Sequence, residues 1–266
     1  MPPIRRGQRR WRRWRMAVSS ILPTPAVCTE AGGRTMSARY AIYYVPAAAS
    51  ALYRFGASVL GYDAFTGNDV PYPDGVDAAK WPALTREPRV YGFHATMKPP
   101  MRLKDGATER DLTVSFLTFA NEQAPVHAGT LVVRELGSFI ALVPAEPCAP
   151  LHRLADACVS AFDDFRALPT EQELAKRLKP GLTERHIEHL YRWGYPYVFE
   201  DFRFHMTLTG ALPVQKRMAA YNFLGRQFDQ LPDAAALNVD RLVISRQATA
   251  GAPFVVLNEV ALGGIT

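Results

Sequence analysis

The chain has little of what marks secreted, zinc-binding or membrane-spanning proteins. It contains three cysteines, Cys28, Cys148 and Cys158, and no Cys-x-x-Cys pair, which argues against a disulfide framework and a zinc knuckle. No apolar run approaches the roughly 20 residues of a membrane-spanning helix. At 266 residues and 48% hydrophobic content, the chain can still bury a sizeable core. We therefore predict a cytoplasmic protein without a membrane segment.

Excess positive charge is also absent from most of the chain. The formal net charge is +6, but residues 1–35 hold eight arginines against one acid and the other 231 residues sum to −1. A body without a basic stripe lacks the electrostatic footprint of a protein that follows a nucleic-acid backbone. This balance argues against nucleic acid as the main substrate.

The arginine-rich head, residues 1–37, cannot bury a core, so we predict a disordered N-terminal extension. It fails as a secretory signal because the apolar part after Arg15 is short and is interrupted by prolines. Three interpretations stay open: an arm for nucleic acid, a transit peptide, or an upstream start assigned in place of Met36.

Two copies of Phe-His-x-Thr, at 93–96 and 204–207, lie 111 residues apart. Residues two apart in an extended strand point to the same side. Each copy therefore presents an imidazole beside a hydroxyl, His94 with Thr96 and His205 with Thr207. One such match is weak, and the alternative of two satisfied histidines on unrelated strands is much less favoured once the pairing is counted.

The rest of the sequence repeats with the motif. Phe139–Ala145 resembles Ala41–Ala47, and a helix pattern follows both. In the second helix one apolar stripe of period 3.6 is predicted, made of Leu151, Leu154, Ala155, Cys158, Val159 and Phe162. Two strand–helix–strand–helix–strand–strand units result, with lobes near 38–137 and 138–264 between which strands can be exchanged. We predict an α+β fold in which antiparallel sheets face a central cleft, with helices outside and one motif on each wall.

Within these units the sequence signals for individual strands, helices and loops differ in strength. The segment 61–89 is rich in Gly, Pro and Asp without a clear period, so we expect a long loop that could cover a site. Motif strands are predicted over 90–98, ending at two prolines, and over 202–210. A capping box at 108–111 opens a helix, and an insertion at 167–195 contains a helix near Thr183.

The paired motifs suit proton transfer at phosphorus. One imidazole can take a proton from the attacking group while the other gives a proton to the leaving group. Two hydroxyls can donate to the non-bridging oxygens of an anion. No serine, cysteine or aspartate nucleophile stands out, so water or a substrate hydroxyl is expected to attack directly.

Paired F-H-x-T-hydrophobic motifs in a duplicated α+β unit resemble the 2H phosphoesterase superfamily, which includes RNA cyclic phosphodiesterases. The resemblance covers about 38–264, and the stretch Tyr91–Pro100 is similar to an uncharacterised branch found beside phosphonate-degradation genes. It implies a two-lobed fold and a metal-free site without a cofactor. His94 and His205 would be catalytic, and Thr96 and Thr207 would bind phosphate.

Four further side chains are candidate substrate contacts. Lys98 and Arg203 each lie two residues from a motif member, where they could meet a second phosphate or stay solvated at a strand end. Tyr43 and Tyr91 could stack on a sugar or base, although tyrosines in strands more often serve packing.

His186 and His189 have the i, i+3 spacing that can place two metal ligands together on a helix. No further ligand motif accompanies them, so a solvated helix face is the favoured interpretation and no metal site is predicted.

The sequence thus predicts a metal-independent phosphoesterase acting on a small cyclic phosphate or phosphodiester. The resemblance implies a phosphoribosyl intermediate of phosphonate catabolism as one substrate. The alternatives are an RNA-end 2′,3′-cyclic phosphodiesterase and, from another class, a non-catalytic phosphate-ligand binding protein. The partner expected is a small phosphorylated substrate. The identity of the general acid and the oligomeric state stay open.

Overall fold

A computed structural model of the chain describes residues 38–231 and 235–264. The extension predicted to be disordered, 1–37, lies outside the described residues. The strands are β1 (Arg39–Tyr44), β2 (Tyr62–Asp63), β3 (Asn68–Asp69), β4 (Ala95–Arg102), β5 (Val126–Leu136), β6 (Phe139–Pro144), β7 (Met206–Thr207), β8 (Ala236–Val239), β9 (Arg241–Gln247) and β10 (Phe254–Ala261). The α-helices are α1 (Ala51–Leu60), α2 (Pro82–Arg89), α3 (Glu109–Glu122), α4 (Ala149–Ala161), α5 (Glu171–Arg177), α6 (Glu184–Trp193) and α7 (Val214–Asp229).

Eight strands form one antiparallel sheet in the order β10-β9-β1-β4-β7-β6-β5-β8. It divides into two similar half-sheets that meet where β4 pairs with β7. Strand β1 corresponds to β6 by sequence, and β9 corresponds to β5. Accordingly, β9 pairs with β1 as β5 pairs with β6. The predicted α+β class with a duplicated antiparallel arrangement is confirmed. The two motifs lie on neighbouring strands at the junction, closer than two separate walls would place them.

Helices cover the sheet through apolar stripes that the sequence pattern predicted. Every member of the predicted stripe is buried: Leu151, Leu154, Ala155, Cys158 and Val159 in α4, and Phe162 at its C-cap. This helix packs on β4, while α3 packs on β9 and β10. Each fully buried large aliphatic or aromatic side chain contributes about 1.5–3 kcal/mol of transfer free energy. The core therefore fixes the strands on which the motifs lie.

The motif strands differ from their predicted bounds. Strand β4 does not end at the two prolines but continues through Pro99 and Pro100 to Arg102. Its register against β1 skips a residue between the partners of Tyr40 and Ile42, so a bulge lies where the prolines cannot donate a ladder hydrogen bond. Strand β7 is only two residues long, far shorter than the predicted 202–210.

The segment 61–89 is more ordered than a long loop. It contains the hairpin β2–β3 and helix α2, which starts with a proline at its first position. Arg89 at the end of α2 donates to the carbonyls of Leu60 and Gly61 and pairs with Asp69. The segment is thereby tied to the end of α1.

Helix starts followed the predicted capping signals. The capping box of Thr108 and Asp111 opens α3, and Thr183 caps α6. Helix α5 was not predicted separately within the 167–195 insertion. It opens with its own box of Thr170 and Glu173. Over the described residues, no helix is long and apolar enough to cross a membrane.

Candidate active site

The pairing of β4 with β7 brings the two motifs together. Ala95 lies opposite Met206. Extending this antiparallel register by one residue places His94 opposite Thr207 and Thr96 opposite His205. Side chains directly opposite in an antiparallel pair share a face, with Cβ atoms about 4.5–5.5 Å apart. The two imidazoles and two hydroxyls therefore form one half-buried patch at the junction of the half-sheets.

Both imidazoles are held in the same way. His94 Nδ1 lies 2.9 Å from the carbonyl oxygen of Gly92, and His205 Nδ1 lies 2.7 Å from that of Arg203. A carbonyl oxygen only accepts, so Nδ1 carries the proton in both rings and the neutral ring has its lone pair on Nε2. Thr96 Oγ1 lies 3.1 Å from His94 Nε2 and donates to it in this tautomer.

A glycine turn and a buried phenylalanine set the position of His94. Gly92 has φ +72°, and a Cβ there would lie 2.7 Å from Cβ of Ala64. The next residue, Phe93, is fully buried and packs on Gly56, where a Cβ would come within 2.1 Å of the ring. Both glycines are therefore required by close approach, and the first also by its left-handed backbone.

The two histidines have different neighbours. Tyr43 lies opposite Thr96 on β1, and its ring stacks on His94 with centroids 3.8 Å apart and an interplanar angle of 27°. At the equivalent register in the other half-sheet, Ala141 lies opposite Thr207. His205 has a tilted phenylalanine ring, Phe139, at a centroid distance of 5.8 Å. An aromatic ring thus stacks directly on His94, whereas the ring beside His205 lies 2 Å farther away and is tilted.

Burial lowers the pKa of both imidazoles. For His94 the lowered pKa is about 4, because burial and the nearby His205 outweigh the hydrogen bond to Gly92. Burial also lowers the pKa of His205, against its hydrogen bond to the Arg203 carbonyl. Near neutral pH His94 is therefore a neutral ring that presents a lone pair.

Lys98 does not share the strand face of Thr96 as predicted, because the register of β4 is irregular here, and substrate contact by Lys98 stays a prediction. The register moves from Tyr43 opposite Thr96 to Ile42 opposite Lys98, so β4 carries an extra residue that breaks the strict alternation. The Lys98 side chain is 1% exposed, and its ammonium donates to the Val159 carbonyl at 2.9 Å and to Asp163 at 3.2 Å. Burial lowers the pKa of Lys98 to about 8.

The other predicted contacts have distinct environments. Tyr91 is half-buried, with its ring 6.3 Å from that of His94 and stacked on Phe254 at 5.4 Å. The Arg203 side chain is exposed, and what Arg203 gives the site is its backbone carbonyl under His205. Tyr43 and Tyr91 thus lie next to His94. Substrate contact by Tyr43, Tyr91 or Arg203 stays a prediction.

Two arginines near these tyrosines were missed by motif reasoning. Arg39 opens β1 four residues before Tyr43, on the same strand side by alternation, which the sequence could have signalled. Arg177 ends α5 in the insertion, and no sequence pattern connects it to the motifs. Both line one groove beside β4.

The rings of His186 and His189 both lie against one carboxylate, that of Asp201. His186 Nε2 lies 3.3 Å from Asp201, a carboxylate that Arg185 already binds through two hydrogen bonds of 2.8 and 2.6 Å. In the part of the chain that the structure describes, no group of three or more His, Cys, Asp or Glu side chains could hold a metal ion. Within residues 38–231 and 235–264, the rings of His94 and His205 are hydrogen-bonded to backbone carbonyls and to the Thr96 hydroxyl, and to no carboxylate.

Fold and site together define an α+β protein with a duplicated antiparallel sheet and paired His-x-Thr motifs at its centre. Residues 96–255 match the family described as "Protein of unknown function (DUF1045)", and the chain belongs to this family.

Two curated relatives are both called ribose 1,5-bisphosphate phosphokinase PhnN. The protein from Janthinobacterium sp. (strain Marseille) is 36% identical over 91% of this chain and 54% of its own length. The protein from Laribacter hongkongensis (strain HLHK9) is 34% identical over 81% of this chain and 50% of its own length. The chain thus spans about half the length of the curated relatives it matches.

Two solved structures are also similar to the chain. One is described as a phosphoesterase, with 13% identity, a TM-score of 0.37 and coverage of 86% of this chain and 98% of that one. Another is E. coli LigT in complex with 3′-AMP, with 13% identity, a TM-score of 0.38 and coverage of 85% and 98%.

Proposed function

We propose that this chain is a metal-independent phosphoesterase that hydrolyses a small cyclic phosphate. The observation that supports this most is the register of β4 against β7. It gathers two imidazoles of the same tautomer and two hydroxyls on one face of the sheet. Paired imidazoles supply a base and an acid, and the hydroxyls supply neutral donors for the equatorial oxygens of phosphorus.

In this proposal His94 is the general base. Its Nε2 lone pair takes a proton from water as the water oxygen attacks phosphorus, and burial with a pKa of about 4 keeps this ring neutral beforehand. Thr96 then turns its hydroxyl from His94 to a non-bridging oxygen, as Thr207 does from the other strand. Both hydroxyls hold the oxygens on which negative charge builds up.

His205 is the general acid. As the bond between phosphorus and the leaving oxygen breaks, the protonated ring gives that oxygen its Nε2 proton. The anionic substrate favours this protonated form, because a nearby negative charge raises an imidazole pKa. The more open surroundings of His205 leave room for the departing group. Exchange with solvent then restores both protonation states.

The substrate we propose is a phosphoribosyl cyclic phosphate. Both curated relatives are named for ribose 1,5-bisphosphate. Hydrolysis of a 1,2-cyclic phosphate of ribose 5-phosphate, with cleavage of the bond between phosphorus and O2, leaves phosphate on O1 and gives that compound. The reaction would thus supply the molecule for which the relatives are named.

Turnover of three substrates tests the proposal. Purified chain is incubated with the phosphoribosyl cyclic phosphate, a 2′,3′-cyclic mononucleotide and an RNA ending in a cyclic phosphate, and products are followed by phosphorus NMR. We expect hydrolysis of the first, and His94→Ala or His205→Ala to lower the rate by about 10²–10⁴-fold. The matched control is His127→Ala, an exposed histidine whose ring contacts Asn238.

Four results would contradict the proposal. Full activity in either motif variant would remove that histidine from the mechanism. Preferred turnover of the RNA would favour the RNA-end alternative. Saturable binding of the cyclic phosphate without turnover would favour a binding protein. Loss of activity with a chelator and its return with zinc or manganese would point to a metal mechanism.

A further inference from the structure

We propose that Arg39 and Arg177 form a second anion subsite, which binds a phosphomonoester of the substrate beside the histidine pair. The proposal rests on the proposed function and specifies its substrate class. The cyclic phosphate that reacts would belong to a molecule with a second, terminal phosphate.

Arg39 is anchored but incompletely paired. Its Nε donates to Gln247 Oε1 at 2.7 Å, and Gln247 is itself buried and held by the Ala252 carbonyl at 2.7 Å. The guanidinium lies over the Phe254 ring, 5.6 Å from its centroid. Among the described residues no carboxylate is within ion-pair distance of Arg39, so its terminal amino groups are available to a ligand.

Arg177 approaches the same groove from α5. It donates to the Gly194 carbonyl and lies over the Tyr195 ring at 5.8 Å from the centroid. Burial lowers the pKa of Arg177, and the charge of Arg39 lowers it as well, while Tyr195 and Glu173 raise it. Both guanidinium groups line the same groove, where like charges repel one another.

The other cations that line this groove have carboxylate partners. Arg102 binds Glu173 through hydrogen bonds of 2.9 and 3.3 Å, and both Arg166 and Lys98 pair with Asp163, at 2.8 and 3.2 Å. Arg177 has no such ion pair within the described ranges. Two like charges that are partly withdrawn from water cost free energy unless an anion lies between them. A guanidinium fork matches the oxygens of phosphate, which makes a phosphomonoester dianion the ligand that fits.

An unsatisfied phenol, that of Tyr43, neighbours the same Phe254 ring over which Arg39 lies, with the Tyr43 and Phe254 centroids 6.1 Å apart. Tyr43 is 1% exposed, and its hydroxyl has no hydrogen-bond partner. Burial raises the pKa of Tyr43, Tyr91 and Tyr195 raise it further, and Arg39 lowers it. Tyr43, Tyr91 and Arg39 thus all neighbour the ring of Phe254. A buried donor without an acceptor is costly, and a phosphate oxygen would satisfy it.

Tyr43 also connects the subsite to the catalytic patch, because its ring stacks on His94. A substrate that extends past Tyr43 would place its cyclic phosphate at the histidines and its terminal phosphate at the arginines. Binding of the terminal phosphate would then orient the cyclic phosphate for attack.

The test compares a ribose 1,2-cyclic phosphate with and without the 5-phosphate, using the full chain. We expect the wild type to prefer the phosphorylated substrate in kcat/KM. Arg39→Gln or Arg177→Gln should reduce that preference by about 10- to 100-fold, mainly through KM, since each variant deletes charge-assisted hydrogen bonds. Arg39→Lys, which keeps the charge but loses the fork, should be intermediate. Arg226→Gln, an exposed arginine of α7, is the control.

Thermal unfolding of each variant checks that the fold is intact. A wild type without preference, or variants that lose both substrates equally, would overturn the subsite. If the wild type turns over neither substrate, the proposed function fails, and calorimetry with ribose 5-phosphate decides the subsite independently. Binding that Arg39→Gln and Arg177→Gln abolish supports it, and absence of wild-type binding contradicts it. Equal binding of inorganic phosphate would show a general anion site and contradict recognition of a substrate phosphate.

Discussion

At the scale of single residues, two histidines with the same motif have acquired different surroundings. Both hold Nδ1 on a carbonyl two residues earlier. Tyr43 covers His94, whereas the small Ala141 occupies the equivalent register on the other side. One methyl group in place of a phenol ring changes how strongly burial acts on each imidazole, which is why we assign the base to His94 and the acid to His205.

Replacing Tyr43 with alanine should move the acidic limb of the pH–rate profile. A base must be neutral, so the rate falls as pH drops through the pKa of His94, which burial holds below its usual 6.5. Removing the ring admits water and relieves this burial, so the pKa should rise and the limb should shift to higher pH. The profile of kcat/KM reports it. Tyr191→Ala, on the exposed side of α6, is the control, and an unmoved limb would contradict the assignment.

At the scale of elements, a bulge in β4 and a turn just before it determine which groups of this segment face the histidine pair. The bulge turns Lys98 to α4, where it pairs with Asp163 under the sheet. The left-handed turn at Gly92 aims a carbonyl at His94. Neither feature follows from an alternating strand pattern, and both determine which groups reach the site.

Gly92→Ala should lower activity beyond its cost in stability. The left-handed backbone disfavours any Cβ by about 1 kcal/mol or more, and here the Cβ would also collide with Ala64 and displace the carbonyl under His94. Gly106→Ala is a matched control, because Gly106 has φ +80° but nothing within 4 Å of the added atom. We expect both variants to lose stability in urea unfolding and only Gly92→Ala to lose kcat. Equal activity in the two would show that the turn does not position the base.

At the scale of the whole molecule, charge favours a small substrate. The net charge of +6 is carried by residues 1–35, and the rest of the chain sums to −1. A protein that follows a nucleic-acid backbone needs many phosphate contacts, and its affinity then falls steeply with salt. A local pair of arginines beside one site meets a single phosphate and does not provide such a track.

We therefore expect kcat/KM for the small cyclic phosphate to depend only weakly on salt between 50 and 200 mM, a range in which multi-contact binding loses orders of magnitude. The same assay with the cyclic-phosphate-ended RNA gives the comparison. A chain without residues 1–35 separates the charge of the head from that of the body. An RNA rate that exceeds the small-substrate rate tenfold at low salt and loses this lead at high salt would show that the body tracks a polymer.

The sequence by itself determined the paired motifs, the duplicated α+β class, the stripe of α4 and the capping box of α3. These depend on periodicity and hydrogen bonds within a few residues, which the chain shows directly. Only the tertiary structure decided that the motif strands are neighbours, that a bulge turns Lys98 away from the face of Thr96, that Tyr43 stacks on His94, and that Arg39 and Arg177 line one groove. Register, bulges and contacts between distant segments are set by how the whole core packs, because a shift of one residue turns every following side chain to the other face.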